Sequence, residues 1–262
     1  MSNRQLKNCR AIITGASGGI GWELAEQLAQ QGVKLIVNAR RASLLDDLTA
    51  KIRSAGGCCT PHAGDITVPA VRKALVDLCL KEHGGLDILV NNAGIGAMGR
   101  FDEAAPDRMR KIFEVNFFSV AELTRLAIPE LKQGVDPLVV NISSVLGHRA
   151  APLKSEYCAS KFALHGLSDS LRAELVPNGI ELLLVSPSTT ESEFFDRSIE
   201  DTTDKDWKKG GAMPAEKVAA KTIRAMIKRR HEIILTFGGR IIVWLDRLLP
   251  GIANKLVARF GQ

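Results

Sequence analysis

Ala11-Ile12-Ile13-Thr14-Gly15-Ala16-Ser17-Gly18-Gly19-Ile20-Gly21 is the stretch on which the fold turns. Its short apolar start reads as a buried strand, and a Gly-rich turn follows. Residues 22–31 then read as a helix, stopped by Gly32. A glycine turn between a first strand and a first helix offers backbone N–H groups and a helix N-terminus to a pyrophosphate. Glycine suits the place because a Cβ would block the approach of phosphates or force a strained φ. The spacing is G-x3-G-x-G rather than G-x-G-x-x-G.

The same alternation continues outward from this turn. Residues 33–39, 58–65, 86–91, 138–143, 180–186 and 232–236 read as further strands. Between them, Leu44, Leu45, Leu48 and Ile52 mark one helix face ending at Gly56-Gly57. Residues 68–83, 101–132 (with a break near Pro106), 156–175 and 214–230 (with Pro at the start) read as helices. Strands alternating with helices predict an α/β fold: a doubly wound, Rossmann-like parallel sheet with helices on both faces. The strands are near-continuous apolar runs, as in a sheet buried on both sides. No repeat or linker divides the chain. Residues 1–239 are expected to form one domain, with a polar, weakly patterned substrate loop at 188–212. Two amphipathic stretches split by Pro250-Gly251 form an extension over 240–262.

The length of 262 residues and a composition of 45% hydrophobic and 24% charged residues exclude a disordered chain and a disulfide-stapled miniprotein. No apolar run reaches the roughly 18 residues of a membrane span, and the N-terminus reads as lacking a signal peptide, so a cytoplasmic protein is expected. The five cysteines have no CxxC or zinc spacing, and the five histidines have no ligand spacing; no metal is expected. The net charge of +6 is uneven, because residues 205–262 carry 13 Lys+Arg against 4 Asp+Glu, a net of +9. That is a local basic surface rather than a nucleic-acid footprint. With the amphipathic ending it suggests a possible peripheral contact with anionic lipid, beside the plainer role of covering a substrate mouth or a subunit interface.

Chemistry concentrates at the strand ends. Asn38-Ala39-Arg40-Arg41 closes the second strand with two arginines where an NAD site usually has an acid. A guanidinium matches a phosphate in charge and shape, which favours NADP(H). Asp65 ends the third strand, where it suits an adenine amine, and Asn91-Asn92-Ala93-Gly94 follows the fourth with small residues suited to a flat ligand. Tyr157, the only tyrosine, lies four residues before Lys161 and shares a helical face with it. A cation about 4 Å from a phenol contributes about 4 kcal/mol at an effective dielectric near 20, or about 3 pKa units, which brings the phenol towards neutral pH. Ser144, at the end of the fifth strand, is placed to hold a carbonyl or alcohol oxygen. His148, Arg149, Phe194, Phe195 and Trp207 lie near the expected substrate region without a sharper reading.

Together these motifs, in order over residues 8–236, resemble the short-chain dehydrogenase/reductase family. The resemblance implies that Gly15, Ser17, Gly19, Ile20 and Gly21 line a pyrophosphate, that Arg40 takes a 2′-phosphate beside Arg41, and that Asp65 and Ile66 sit by the adenine. Asn92, Ala93 and Gly94 would pass beside the cofactor. It implies a tetrad of Asn116, which holds a water, Ser144, which orients the substrate oxygen, Tyr157, the general acid/base, and Lys161, which lowers the phenol's pKa and binds the ribose. After the sixth strand the family's Pro-Gly and Thr become Pro187-Ser188 and Ser192, so the nicotinamide contact is expected through Pro187 and Ser192. The implied activity is NADP(H)-dependent hydride transfer with a small carbonyl or alcohol substrate. The helices around residues 113–132 and 156–175 are expected to form a homodimer or homotetramer. A non-catalytic NADP(H)-binding regulator on the same fold is the competing reading, and the four catalytic-type side chains count against it.

Overall fold

The computed structural model describes residues 2–191, 194, 198–201 and 211–260. The first half of the chain alternates β1 (Arg10–Thr14), α1 (Gly19–Gln30), β2 (Lys34–Ala39), α2 (Ala42–Ser54), β3 (Cys58–Ala63), α3 (Pro69–His83) and β4 (Ile88–Asn91). A short β5 (Ala97–Met98) precedes α4 (Arg108–Phe113), a π-helical turn (Glu114–Phe118) and α5 (Ser119–Leu131). Then come β6 (Leu138–Ile142), α6 (Ser155–Leu175), β7 (Glu181–Ser186), and the short β8 (Thr190–Glu191), β9 (Ile199–Asp201) and β10 (Met213–Pro214). The chain closes with α7 (Ala215–Ile227), β11 (Glu232–Ile234), α8 (Phe237–Leu248) and α9 (Pro250–Phe260).

Seven strands form one all-parallel sheet in the order β11-β7-β6-β4-β1-β2-β3, as the alternation predicts. Successive residues along a strand point to opposite faces, and the packing follows that period. Ile12 and Ile36 join the layer under α3 and α5, with Leu75, Cys79, Leu123 and Leu131. Their neighbours Ile13, Leu35 and Val37 join the layer under α1, α2 and α7, with Leu24, Leu28, Leu45 and Met226. Each such buried leucine contributes about 1.5–3 kcal/mol, so the two layers fix both the helices and the strand register. Pro61 is accommodated because β3 is the sheet's edge.

The order reverses between β4 and β1, so their C-terminal ends open a crevice of the kind that holds ligands in doubly wound sheets. The expected loose loop is partly ordered: β8 pairs with β10, and β5 with β9. The expected boundary at 239/240 falls inside α8, which begins at Phe237 because the Thr236 hydroxyl accepts the Gly239 N–H at 3.0 Å and caps it. No described helix is long and apolar enough to cross a membrane.

Candidate active site

The C-terminal ends of β1, β2, β4, β6 and β7 border a cleft of about 700 Å³. On its floor, Thr14 Oγ1 accepts the N–H groups of Asn92 and Ala93, both at 3.0 Å, and locks the ends of β1 and β4 together. The Asn92 amide donates to the carbonyls of Thr14 and Gly15, both at 3.0 Å, and so holds the glycine turn in shape. Gly15 and Gly19 have φ of 69° and 53°, the left-handed region that favours glycine. A Cβ on Gly21 would stand 2.3 Å from the Gly15 carbonyl oxygen, so that glycine lets α1 pack under the turn. Gly15, Ser17, Gly19 and Ile20 line the cleft, while Gly21 is not among its lining residues.

The turn fits a phosphate group. The residue before helix α1, Gly18, has no side chain to cap it, so the helix's first N–H groups need an acceptor from outside the helix, and Gly18, Gly19 and Ile20 face the cleft. The two arginines take separate tasks. Arg41 Nη2 donates to the Ser17 carbonyl at 2.8 Å, and Arg41 Nε and Nη2 both reach Ser17 Oγ, so this residue braces the turn. Arg40 is exposed and lines the cleft. Asp65 Oδ1 accepts the Thr67 N–H and hydroxyl at 2.9 and 2.8 Å, which stiffens the strand end that carries Asp65 and Ile66 into the cleft.

Ser144, Tyr157 and Lys161 meet on the opposite wall. Ser144 Oγ accepts the Leu146 N–H at 3.1 Å and is hydrogen-bonded with the Tyr157 hydroxyl. The Phe194 ring, 5.8 Å from the Tyr157 ring, meets it edge-on. Lys161 Nζ donates to the Ile142 carbonyl at 3.0 Å and lies 5.7 Å from the tyrosine ring centre. In the nucleotide-free pocket the expected lowering of the phenol's pKa by Lys161 is not found. Burial pushes the Tyr157 hydroxyl up, with only the Ser144 hydrogen bond pulling it down. Burial also lowers Lys161 from 10.5 to about 8. In this desolvated pocket each group is driven towards its neutral form, which the surface-like arithmetic left out.

Asn116 is fully buried in the π-helical turn and does not line the cleft. Its Oδ1 accepts the Ile95 N–H at 2.8 Å, and its Nδ2 donates to the Ile95 carbonyl and Ser160 Oγ at 2.9 and 3.0 Å. The side chain thus pins the loop residue Ile95 to α6 rather than pointing into the cleft. Ala93, Gly94 and Pro187 line the cleft, and Ser192, Phe195 and Trp207 lie outside the described residues. Lys154 and Ile242 also line the cleft without having been singled out in the sequence.

Two clusters that spacing does not reveal support this wall. Glu156, next to Tyr157, accepts Arg108 Nε and Nη2 at 2.9 and 2.6 Å, with both side chains buried. Behind Ser144 and Lys161, the ligand-type atoms of His148, His165 and Glu232 lie within 4.8 Å of one another. His148 Nε2 is 2.8 Å from Glu232, and burial holds His165 down at about 4, so its ring is neutral.

With this geometry in hand, three comparisons bear on the chain. The family model described as short chain dehydrogenase matches residues 10–203. Dehydrogenase/reductase SDR family member 7B of Mus musculus is 30% identical over 98% of this chain and 82% of the relative. A short chain dehydrogenase/reductase SDR from Burkholderia phymatum, solved in complex with NAD, superposes with a TM-score of 0.87 at 26% identity over 95% of this chain and 96% of that one. A short chain dehydrogenase from Burkholderia cenocepacia, solved in complex with NADP, does so with 0.78 at 29% identity over 87% of this chain and 96% of that one.

Proposed function

The chain belongs to the short-chain dehydrogenase family and is an NAD(P)-dependent oxidoreductase, and on that premise we propose that it interconverts a carbonyl compound and a secondary alcohol with a preference for NADP(H). The observation that carries the reading is the Ser144–Tyr157 hydrogen bond, with Lys161 one helical turn further on, in the same cleft as the glycine turn.

Bound in the cleft, the nicotinamide nucleotide supplies or accepts the hydride. The protein's own groups do the rest. The uncapped start of α1 and the turn from Gly15 to Ile20 hold the pyrophosphate. Ser144, oriented by the Leu146 N–H, holds the substrate oxygen beside the phenol. Tyr157 gives that oxygen a proton in reduction and takes one in oxidation. Lys161 Nζ lies next to Gly94, where an added Cβ would be 3.8 Å from it, and from there it would hold the ribose of a bound nucleotide. Lys161, driven towards its neutral form by burial, would be favoured as the ammonium beside a bound anionic nucleotide, and as a cation it would favour the tyrosinate. Asn116 acts as a positioning residue that fixes residues 94–95 against α6. Val145, Leu146, Phe194 and Ile242 give the cleft an apolar lining that favours an apolar substrate. Exposed Leu126 and Phe162 on α5 and α6 support subunit contact there, in a homodimer or homotetramer.

Arg40 carries the NADP preference. A charge-assisted contact of about 1.5–3 kcal/mol corresponds to about tenfold or more in affinity over NADH. Fluorescence titration of both reduced nucleotides tests it; equal affinities, or an Arg40→Ala variant that holds NADPH as tightly as the parent, refute it. For the chemistry, a panel of carbonyl compounds and alcohols followed by NADPH absorbance identifies a substrate. Tyr157→Phe is expected to slow its turnover by about 10²–10⁴-fold while nucleotide binding persists. Turnover within a factor of a few of the parent overturns the acid/base role.

A further inference from the structure

Helix α8 is amphipathic in the wrong direction for a helix that only packs on its own domain. At about 100° per residue, Gly239, Val243 and Asp246 share the side turned to the body. Val243 is buried, Gly239 packs near Val145, and Asp246 pairs with Arg149 at 2.8 Å. Phe237, Ile241, Trp244 and Leu248 fall in a narrow sector on the opposite side, with exposures of 77%, 49%, 59% and 70%. On α9, Ile252 and Leu256 are also exposed. Scattered exposed apolar residues need no explanation, but a continuous outward stripe does.

Charge identifies what covers it. Arg240 and Arg247, one heptad apart, are exposed and flank the stripe on one side, and exposed Lys255 stands beside Ile252 and Leu256. Residues 237–260 carry Arg240, Arg247, Lys255 and Arg259 against Asp246 alone, and Asp246 is already paired with Arg149. A second copy on a two-fold axis would bring these cations towards their own images, which disfavours self-association through this face. An anionic lipid surface complements both the apolar stripe and the flanking cations. The 12 residues of α8 reach about 18 Å, short of the roughly 30 Å hydrocarbon core, so the helix lies in the interface rather than crossing it. Ile242, on the flank of α8 about 100° round from Ile241, is half exposed and lines the cleft, so the same helix borders the mouth of the cleft.

We propose that the outward face of α8 and α9 docks on an anionic lipid surface, with the mouth of the cleft beside the contact. This needs no assumption about turnover, so its failure and that of the oxidoreductase reading are separable.

The test is cosedimentation of the full chain with vesicles of phosphatidylcholine alone and of phosphatidylcholine with phosphatidylserine, at low and moderate salt. Binding is expected to the phosphatidylserine vesicles only and to weaken with salt. Arg240→Gln/Arg247→Gln is expected to bind about 25-fold more weakly, at about fivefold per cation. Trp244→Ser/Leu248→Ser is expected to lose about tenfold or more. Circular dichroism and NADPH binding should be unchanged in both variants, since these four side chains are exposed and none of them lines the cleft. Failure to bind phosphatidylserine vesicles at low salt overturns the proposal, as does equal binding to neutral ones or binding that both variants retain. Dissociation of an oligomer by Trp244→Ser/Leu248→Ser, with vesicle binding intact, assigns the face to a second copy instead.

Discussion

Replacing Lys161 by methionine is expected to stabilise the nucleotide-free protein near neutral pH while removing its catalytic function. Burial lowers the Lys161 pKa from 10.5 to about 8. Keeping that amine protonated at pH 7 therefore costs the folded state about 3 kcal/mol relative to the unfolded chain. Methionine is unbranched, apolar and a good helix former, so it fills the space without that cost. It leaves the Ile142 carbonyl, now bonded at 3.0 Å, without this donor, a loss of about 1–3 kcal/mol. The net at pH 7 is a gain of up to about 2 kcal/mol. The pH dependence is the sharper signature. The pKa is depressed on folding, so between about 8 and 10.5 the unfolded chain binds more protons, and the parent's stability rises with pH across that window. The variant lacks this rise, while every other titrating group is common to both. Urea unfolding from pH 6 to 10 without nucleotide should show the variant at least as stable as the parent at pH 7, and the parent more stable near pH 10. Parallel curves between pH 8 and 10 would refute the desolvated lysine.

Arg108→Met strands the Glu156 carboxylate in the interior, at a cost of about 3–5 kcal/mol. Thermal melts should fall by roughly 6–20 °C, and Arg108→Met/Glu156→Gln should recover much of that; a melt unchanged by Arg108→Met contradicts the pairing. Gly21→Ala places a methyl 2.3 Å from the Gly15 oxygen, so about 1–3 kcal/mol of overpacking is expected, with weaker NADPH binding as the turn shifts; unaltered melts and titrations argue against a close-packed turn. Cys58 is exposed, whereas burial raises the Cys59 thiol to about 11 and the Cys79 thiol to about 12, and Cys9 and Cys158 are also buried. Ellman's reagent should therefore find one fast thiol in the folded protein and five in denaturant, and a second fast thiol would contradict this burial pattern.

Local signals in the sequence carried most of the fold. The apolar run 138–143 became Leu138–Ile142, and the helix expected at 156–175 became Ser155–Leu175, because periodicity and glycine or proline stops act within a few residues. Helix α1 begins at Gly19, before the expected residue 22, because glycines that weaken a helix locally are held there by packing against Gly15 and Asn92. At α8 the boundary expected at 239/240 falls inside the helix, although Thr236, three residues before Gly239, is a cap that the sequence shows. The site residues were legible as motifs, but their electrostatics were not. The sign at Tyr157 depends on how much water the surrounding fold removes, which a spacing of four residues does not encode. The Arg108–Glu156 pair spans 48 residues, and the His148, His165 and Glu232 cluster joins three separate elements. Such contacts exist only once the sheet has been assembled.

The π-helical turn at Glu114–Phe118 sets the phase of everything around it. A π turn holds about one residue more than an α-helix needs over the same rise, so the faces of α4 and α5 are offset by roughly one residue, about 100°. On one side of the offset, Arg108 reaches Glu156; on the other, Leu123, Ala127 and Leu131 sit on the sheet. Deleting one residue between 114 and 118 would give a more regular helix, yet it would turn one of those two faces out of contact. No neighbouring substitution can undo a rotation of the whole rod. The length of this segment, counted in single residues, is therefore under tighter constraint than the identity of most side chains along it.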